Sequence, residues 1–150
     1  MPNGSTASGK AFVDTNVFAY AHDLRQPEKR ARALEIIERL SDEQRMVVST
    51  QVLNELCAIL VRGKVGGITD ADDISGLVDE MEASAEIAIV TPAMTKDAAH
   101  AAYAYAMSWY DALIWAAAKA GGCALVYTED VPGQPEIEGI TYVNPFAGPA

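Results

Sequence analysis

The stretch Ala11-Phe12-Val13-Asp14-Thr15-Asn16-Val17-Phe18 joins a short apolar run to an acid and a small polar pair. An apolar pattern at helical spacing then resumes through Val17, Tyr20 and Ala21. The stretch therefore predicts a strand that ends on Asp14 and enters a helix through almost no loop. Ligands bind just beyond the carboxyl ends of strands in open parallel sheets, which makes Asp14 a candidate ligand or catalyst. The alternative is that Asp14 or Asn16 only caps the helix.

Further apolar runs recur along the chain between segments with helical periodicity. They predict strands at 46–49, 86–90, 123–127 and 140–143, the last at a sheet edge, and helices at 28–40, 50–61, 69–84, 96–107 and 109–120. This alternation predicts an α/β fold with three α/β/α layers and a central, mostly parallel sheet of four to five strands. We expect a single domain over 11–146, a flexible tail at 1–10 and a short tail at 147–150.

Composition and charge narrow the class of protein. The chain has the composition of a soluble globular domain and a net charge of −10. No run of 18 or more uncharged apolar residues occurs, so a membrane partner is not expected. Two isolated cysteines indicate a reducing, cytoplasmic setting rather than a disulfide framework or a zinc site. The excess of acidic over basic residues argues against unaided tight binding to a nucleic-acid backbone, because phosphate contacts come from Lys and Arg.

Three further acids are positioned where they could meet Asp14. Asp130 follows the strand at 123–127, and the carboxyl ends of parallel strands meet at one edge of a sheet. Glu55 lies on or beside the apolar stripe of its helix, and Asp111 shares a face with apolar residues at the start of another helix. The alternatives are a Glu55 at the edge of the stripe with its tip in water, and an Asp111 that only caps.

Four carboxylates in one pocket would repel one another strongly. At an effective dielectric constant of 20, each pair 4 Å apart costs about 4 kcal/mol, so protonation or a cation must offset the repulsion. Oxygen ligands favour Mg²⁺ or Mn²⁺ over zinc. One or two such ions could generate a hydroxide and stabilise the leaving oxygen, which fits phosphodiester hydrolysis. Asn16 and Thr128 are plausible partners that orient the carboxylates.

Four short motifs occur in order along the chain: Phe12-Val13-Asp14-Thr15-Asn16, Ser49 through Asn54-Glu55-Leu56, Tyr110-Asp111-Ala112 and Tyr127-Thr128-Glu129-Asp130. Together they resemble the PIN-domain ribonucleases, and most of all the VapC-type toxins of type II toxin–antitoxin pairs, over roughly residues 11–146. The resemblance implies that Asp14, Glu55, Asp111 and Asp130 are catalytic and bind the metal, and that Asn16, Thr128 and Glu129 support them. It leaves open whether Glu129 or Asp130 is the main fourth ligand.

The same resemblance implies an activity and partners. It implies endonucleolytic cleavage of RNA that depends on Mg²⁺ or Mn²⁺, a homodimer, and a small cognate antitoxin protein that covers the active site. The bases between Arg25 and Arg39 are then a hypothesis for part of the RNA path, with a solvated helix face as the alternative.

Other classes of protein fit the motifs less well. A phosphoacceptor receiver domain needs an Asp after its third strand and a Lys after its last ones, whereas the third predicted strand ends in Thr91-Pro92. A haloacid-dehalogenase-type phosphatase needs a second acid two residues after the first, and that position is Asn16. A catalytically silent PIN fold that binds RNA or protein as a scaffold is the remaining alternative to a nuclease.

Overall fold

Residues 9–63 and 68–147, the part of the chain that the computed structural model describes, contain six strands and six helices, with two helices after each of the first three strands. The strands are β1 (Lys10–Val13), β2 (Met46–Ser49), β3 (Glu86–Ala88), β4 (Cys123–Tyr127), β5 (Glu136–Ile137) and β6 (Ile140–Val143). The helices are α1 (Thr15–Ala21), α2 (Pro27–Asp42), α3 (Thr50–Val61), α4 (Ala71–Ser84), α5 (Pro92–Ala104) and α6 (Trp109–Ala120). Of the tails predicted at 1–10 and 147–150, residues 1–8 and 148–150 lie outside the described residues, and Lys10 already belongs to β1.

The strands form one sheet in the order β3-β2-β1-β4-β6-β5. Every neighbouring pair is parallel except β5 with β6, which is antiparallel. The chain moves from β1 to β2 and β3 in one direction and then returns to β4 on the other side of β1. With right-handed crossovers, α1 to α4 cover one face and α5 and α6 cover the other, which gives the predicted α/β/α layers. The strand order therefore reverses between β1 and β4.

Two features of the sheet differ from the sequence prediction. The described residues contain six strands instead of four to five, because Glu136–Ile137 pairs with the start of β6 through a tight turn at Gly139. The prediction that 140–143 is an edge strand was wrong, because β6 lies between β4 and this short hairpin partner. Two paired residues carry too little alternation for periodicity to reveal a strand.

The start of α5 also differs from the prediction. The helix predicted at 96–107 begins at Pro92 and ends at Ala104. Thr91 caps it, accepting a hydrogen bond from Met94 N, and Pro92 occupies the first turn, where a missing N–H costs nothing. The sequence Thr91-Pro92 therefore starts a helix where it was interpreted mainly as the end of a strand.

The core lies on both faces of the central strands. Ala11, Phe12 and Val13 of β1 are fully buried, as are Val47 and Val48 of β2. Strands of a parallel sheet that are covered on both faces are nearly continuous hydrophobic runs, which is why these segments were recognisable from sequence. Among the described residues, no helix combines the length and the apolar character that crossing a bilayer requires.

Ser49 connects the sheet to the helix that carries Glu55. It ends β2, is fully buried, and its Oγ accepts a hydrogen bond from Val52 N at 3.2 Å as the N-cap of α3. We expect Ser49→Ala to lower the free energy of unfolding by about 1–2 kcal/mol, because water cannot reach the N–H that loses its acceptor.

Urea denaturation would measure this loss, with Thr91→Ala as the matched control. Thr91 caps α5 in the same way but is exposed, so water can replace its hydroxyl and a smaller loss is expected. If the two variants lost the same free energy of unfolding, the burial of Ser49 would not explain the size of its effect.

Candidate active site

A cleft of about 690 Å³ opens where the strand order reverses, beyond the carboxyl ends of β1 and β4. All four acids predicted from sequence line it, which are Asp14, Glu55, Asp111 and Asp130. They come from four separate segments: the end of β1, the middle of α3, the first turn of α6 and the loop after β4. Convergence of distant segments at a topological switch point is the usual position of a ligand site in an open α/β sheet.

Asp14 is a partly buried residue of the cleft, and its carboxylate is held from two sides. Its Oδ1 accepts a hydrogen bond from Thr15 N at 2.6 Å, and its Oδ2 accepts one from Thr128 Oγ1 at 2.9 Å. Its own N–H donates to the carbonyl of Tyr127, at the end of β4. Asp14 is thus the N-cap of α1, as the capping alternative proposed, and it also lines the cleft.

Burial raises the pKa of Asp14 to about 6. The hydrogen bonds from Thr128 and Thr15 oppose this rise, while the negative charges of Glu55 and Asp111 add to it. A buried carboxyl beside two other acids is the situation in which a proton or a cation is needed to offset charge repulsion. Perturbed titration of this kind concentrates at functional sites.

Thr128 is the centre of a hydrogen-bond network that joins the two strand ends. Its hydroxyl donates to Asp14 and accepts from Asn16 Nδ2 at 3.2 Å and from Asp130 N at 3.1 Å. Asn16 Oδ1 in turn accepts from Glu129 N at 3.1 Å. Thr128 is only 3% exposed, so these bonds form away from water. The network fixes the Asp14 carboxylate relative to the loop that carries Asp130.

Glu129 and Asp130 face different surroundings although they are neighbours in sequence. Asp130 lines the cleft. Glu129 instead accepts hydrogen bonds from Lys29 Nζ at 2.6 Å and from Tyr20 Oη at 2.7 Å. Burial would raise the pKa of Glu129, but the bonds from Lys29 and Tyr20 outweigh it and leave the pKa lowered. Of the two acids, Asp130 is therefore the one placed to reach a cleft ligand.

The other two acids sit on helices at the sides of the cleft. Glu55 is exposed, which favours the edge of the apolar stripe over a core position, and its Oε1 accepts from Gln51 Nε2 at 3.0 Å. Asp111 is partly buried in the first turn of α6. That turn is capped by Ser108 Oγ, which accepts a hydrogen bond from Asp111 N at 3.2 Å, and Asp111 lines the cleft.

The cleft also contains residues that the sequence prediction did not include. Gln51 of α3 and Arg62, which directly follows that helix, lie on the same side as Glu55. Tyr110, which is 63% exposed, precedes Asp111. Asp23 lines the cleft as well, but its carboxylate forms an ion pair with Arg25. The spacing of four and seven residues from Glu55 is the sequence signal that could have revealed Gln51 and Arg62.

The donor chemistry of the cleft fits an oxygen-preferring divalent cation. As the side chains stand, no three Asp, Glu, His or Cys residues in 9–63 and 68–147 converge closely enough to hold an ion. However, Glu55 and Asp130 are exposed and could adopt other rotamers at small cost. Thr15 Oγ1 and Gln51 Oε1, both on residues of the cleft, are buried without a hydrogen-bond partner in the described structure. Buried acceptors of this kind are what a hydrated ion would satisfy.

The pKa of Asp14 predicts how stability depends on pH in the metal-free protein. Because the folded-state pKa of about 6 lies above the ordinary value of 3.8, the folded state binds the proton more tightly than the unfolded state. The contribution of Asp14 to stability therefore falls as the pH rises from about 4 to about 6, by at most about 3 kcal/mol. In EDTA, Asp14→Asn should be more stabilising at pH 7 than at pH 4.

Thermal unfolding at the two pH values would measure this difference. A second experiment measures the Tm of both proteins at pH 7 after addition of Mn²⁺. Mn²⁺ should raise the Tm of the unaltered protein and should leave that of Asp14→Asn nearly unchanged. An equal shift in both proteins would mean that the ion binds somewhere other than at Asp14.

The bases between Arg25 and Arg39 are largely engaged by partners within the molecule. Arg25 pairs with Asp23, and Lys29 pairs with Glu129 while lying 4.6 Å from the centre of the Tyr20 ring. Arg32 contacts Glu35 and the carbonyl of Pro145, and Arg39 donates to Tyr127 Oη. These contacts reduce the charge that this cluster could offer to RNA, and its role in an RNA path remains a hypothesis.

A family model for the PIN domain matches residues 11–131 of the chain. No curated protein matches it significantly. The fold is similar to that of a toxin–antitoxin complex from Klebsiella pneumoniae, with a TM-score of 0.62 and 17% sequence identity over 91% of this chain and 98% of the other.

Two further solved structures share this fold. One is VapBC2 from Rickettsia felis bound to a DNA fragment from its promoter, with a TM-score of 0.63 and 16% identity over 89% of this chain and 97% of the other. The second is FitAcB from Neisseria gonorrhoeae, with a TM-score of 0.56 and 17% identity over 91% and 98%. At these identities the likeness concerns the fold.

Proposed function

The chain belongs to the PIN domain family, and on this premise we propose that it is a divalent-metal-dependent endoribonuclease, the toxin of a toxin–antitoxin pair. The observation that carries the proposal is the cleft itself. Asp14, Glu55, Asp111 and Asp130 line one cavity at the switch point of the sheet, and burial raises the pKa of Asp14 to about 6. Membership of a family of nucleases supports the reaction class.

Asp14, Glu55, Asp111 and Asp130 would hold one or two Mg²⁺ or Mn²⁺ ions in this cleft. When bound, such ions polarise a phosphate oxygen, lower the pKa of a water and stabilise the leaving oxygen of a phosphodiester. The protein's own contribution is positioning. Thr128 fixes one oxygen of Asp14, and the Thr15 N–H fixes the other, so the carboxylate does not have to be reoriented during the reaction.

The proposed partner is a small cognate antitoxin protein. One of the solved structures that share the fold is described as a toxin–antitoxin complex. A cleft with this many acidic groups is also suited to a basic segment of such a partner. We further propose that the protein is a homodimer and acts in the cytoplasm, as the resemblance to VapC-type toxins implies.

The test is cleavage of a mixed pool of structured RNA by the purified protein with Mg²⁺ or Mn²⁺, with EDTA as the control. We expect internal cleavage that EDTA abolishes, and slower or no cleavage of a single-stranded DNA pool. Cleavage of DNA but not of RNA would support a nuclease and contradict the proposal that its substrate is RNA. A protein that binds Mn²⁺ and RNA but cleaves neither nucleic acid would contradict the proposal and favour the silent scaffold.

A further inference from the structure

We propose that Arg62 binds a phosphate of the nucleic acid next to the scissile one and so sets the register of the strand in the cleft. This inference rests on the proposed nuclease function. Arg62 follows the last residue of α3, is exposed, and lines the same cleft as the four acids. It would be a substrate-binding residue that contacts the polymer away from the reacting atoms.

The charges around the cleft favour this role. Among the described residues that line the cleft, Arg62 alone is basic, whereas five are acidic. Asp23 is already neutralised by Arg25, and the other four acids are the proposed metal ligands. A polyanion that enters such a cleft meets repulsion everywhere except at bound cations and at Arg62. Phosphate contacts in nucleic-acid complexes are made chiefly by Arg and Lys.

Most other cations of the described chain already have an anionic partner. Ion pairs engage Lys10, Arg25, Lys29, Arg32, Arg45 and Lys119. Arg39 donates to Tyr127 Oη. Within residues 9–63 and 68–147 this leaves Arg30, Arg62 and Lys96 with neither an ion pair nor a side-chain hydrogen bond, and of these three only Arg62 lines the cleft. Among the described residues its guanidinium has no ion-pair partner, so a ligand would displace none of them.

The position of Arg62 along α3 sets the distance to the reacting centre. Glu55 and Arg62 are seven residues apart, which places them on one face of the helix about 10 Å apart along its axis. Ala58 and Ile59 line the cleft between them. An apolar stretch flanked by a metal-ligand carboxylate and a guanidinium suits a sugar and base between two phosphates. This spacing along the helix fits a guanidinium that holds the phosphate next to the scissile one.

The guanidinium can grip a phosphate with two parallel hydrogen bonds, which fixes orientation as well as charge. A contact made equally in the ground and transition states changes KM and leaves kcat nearly unaltered. For Arg62→Gln we therefore expect KM for RNA to rise about tenfold, with kcat changed by less than about twofold. Arg62→Lys retains the charge but not the two parallel N–H donors of the guanidinium, so its KM should lie between those of the unaltered protein and Arg62→Gln.

The test compares Arg62→Gln with Lys96→Gln, which removes the same charge from an exposed residue of α5 outside the cleft. Cleavage kinetics give kcat and KM for each variant. Fluorescence anisotropy of a single-stranded RNA oligonucleotide in the Asp14→Asn background gives binding between about 50 and 200 mM salt. Loss of one phosphate contact should reduce the slope of log K against log salt by about 0.7 for Arg62→Gln and should leave it unchanged for Lys96→Gln.

The outcomes separate this inference from the proposed function. If the unaltered protein cleaves RNA while Arg62→Gln behaves like Lys96→Gln in KM and in salt slope, the inference is overturned and the nuclease stands. If RNA binds with the expected dependence on Arg62 but is never cleaved, the nuclease fails and the phosphate contact stands. If the unaltered protein neither binds nor cleaves RNA, both are overturned.

Discussion

Asp14→Asn is expected to lower kcat/KM for RNA cleavage by at least about 10³-fold. Asp14 lines the cleft directly after the end of β1, and the negative charges of Glu55 and Asp111 both act on it. An amide cannot supply the negative charge that a divalent ion requires. Loss of several kcal/mol of transition-state stabilisation corresponds to a rate loss of this size.

The matched control for this prediction is Asp23→Asn. It makes the same chemical change in the same cleft, but its carboxylate is already occupied by Arg25 through the backbone N–H, Nε and Nη2. We expect Asp23→Asn to retain kcat/KM within about tenfold. Initial rates on one RNA substrate at saturating Mg²⁺ measure both variants. Comparable losses in the two would mean that general cleft charge, and not a ligand at Asp14, supports the reaction.

Thr128→Val is expected to lower kcat/KM by about 10- to 100-fold, the usual cost of losing a partner that orients a metal ligand. The substitution keeps the shape of the side chain and removes one hydroxyl. That hydroxyl donates to Asp14 Oδ2 and accepts from Asn16 Nδ2 and Asp130 N. Because Thr128 is buried, water cannot replace these three bonds. The Asp14 carboxylate and the loop that carries Asp130 would then lose the hydroxyl group that holds them in position relative to each other.

Thr128→Ser is the control for this prediction, because it keeps the hydroxyl and loses only a methyl group. We expect it to recover most of the activity. The apparent Mn²⁺ affinity from thermal shifts gives a second readout, which should weaken for Thr128→Val and be near normal for Thr128→Ser. If both variants lose activity equally while Mn²⁺ affinity is unchanged, Thr128 supports the fold and not the metal site.

Much of the fold could be predicted from the chain itself. Ala11 to Val13 and Met46 to Val48 are short apolar runs because both faces of a central parallel strand are covered. Ser49 and Ser108 each begin a helix, since a hydroxyl is needed to accept an otherwise unpaired N–H. The hairpin at Glu136–Ile137 and the start of α5 at Pro92 were missed because each depends on a few residues at a turn.

The four acids could be named from sequence, but their surroundings could not. The order of motifs brought Asp14 and Asp130 to adjacent strand ends, as parallel pairing requires. Nothing local to Thr128-Glu129-Asp130 indicates that Glu129 turns to Lys29 while Asp130 turns to the cleft. That choice depends on where α1 and α2 pack, and therefore on contacts about 100 residues apart in sequence.

By itself the sequence determined the alternation of strands and helices, the acidic set and the polar partners Asn16 and Thr128, because periodicity, caps and strand ends are encoded locally. Only the tertiary structure decided which charges are free. It neutralises most of the bases between Arg25 and Arg39 within the molecule and brings Arg62 to the cleft. The physical reason is that the availability of a charge depends on its neighbours in space, and these come from distant segments of the chain.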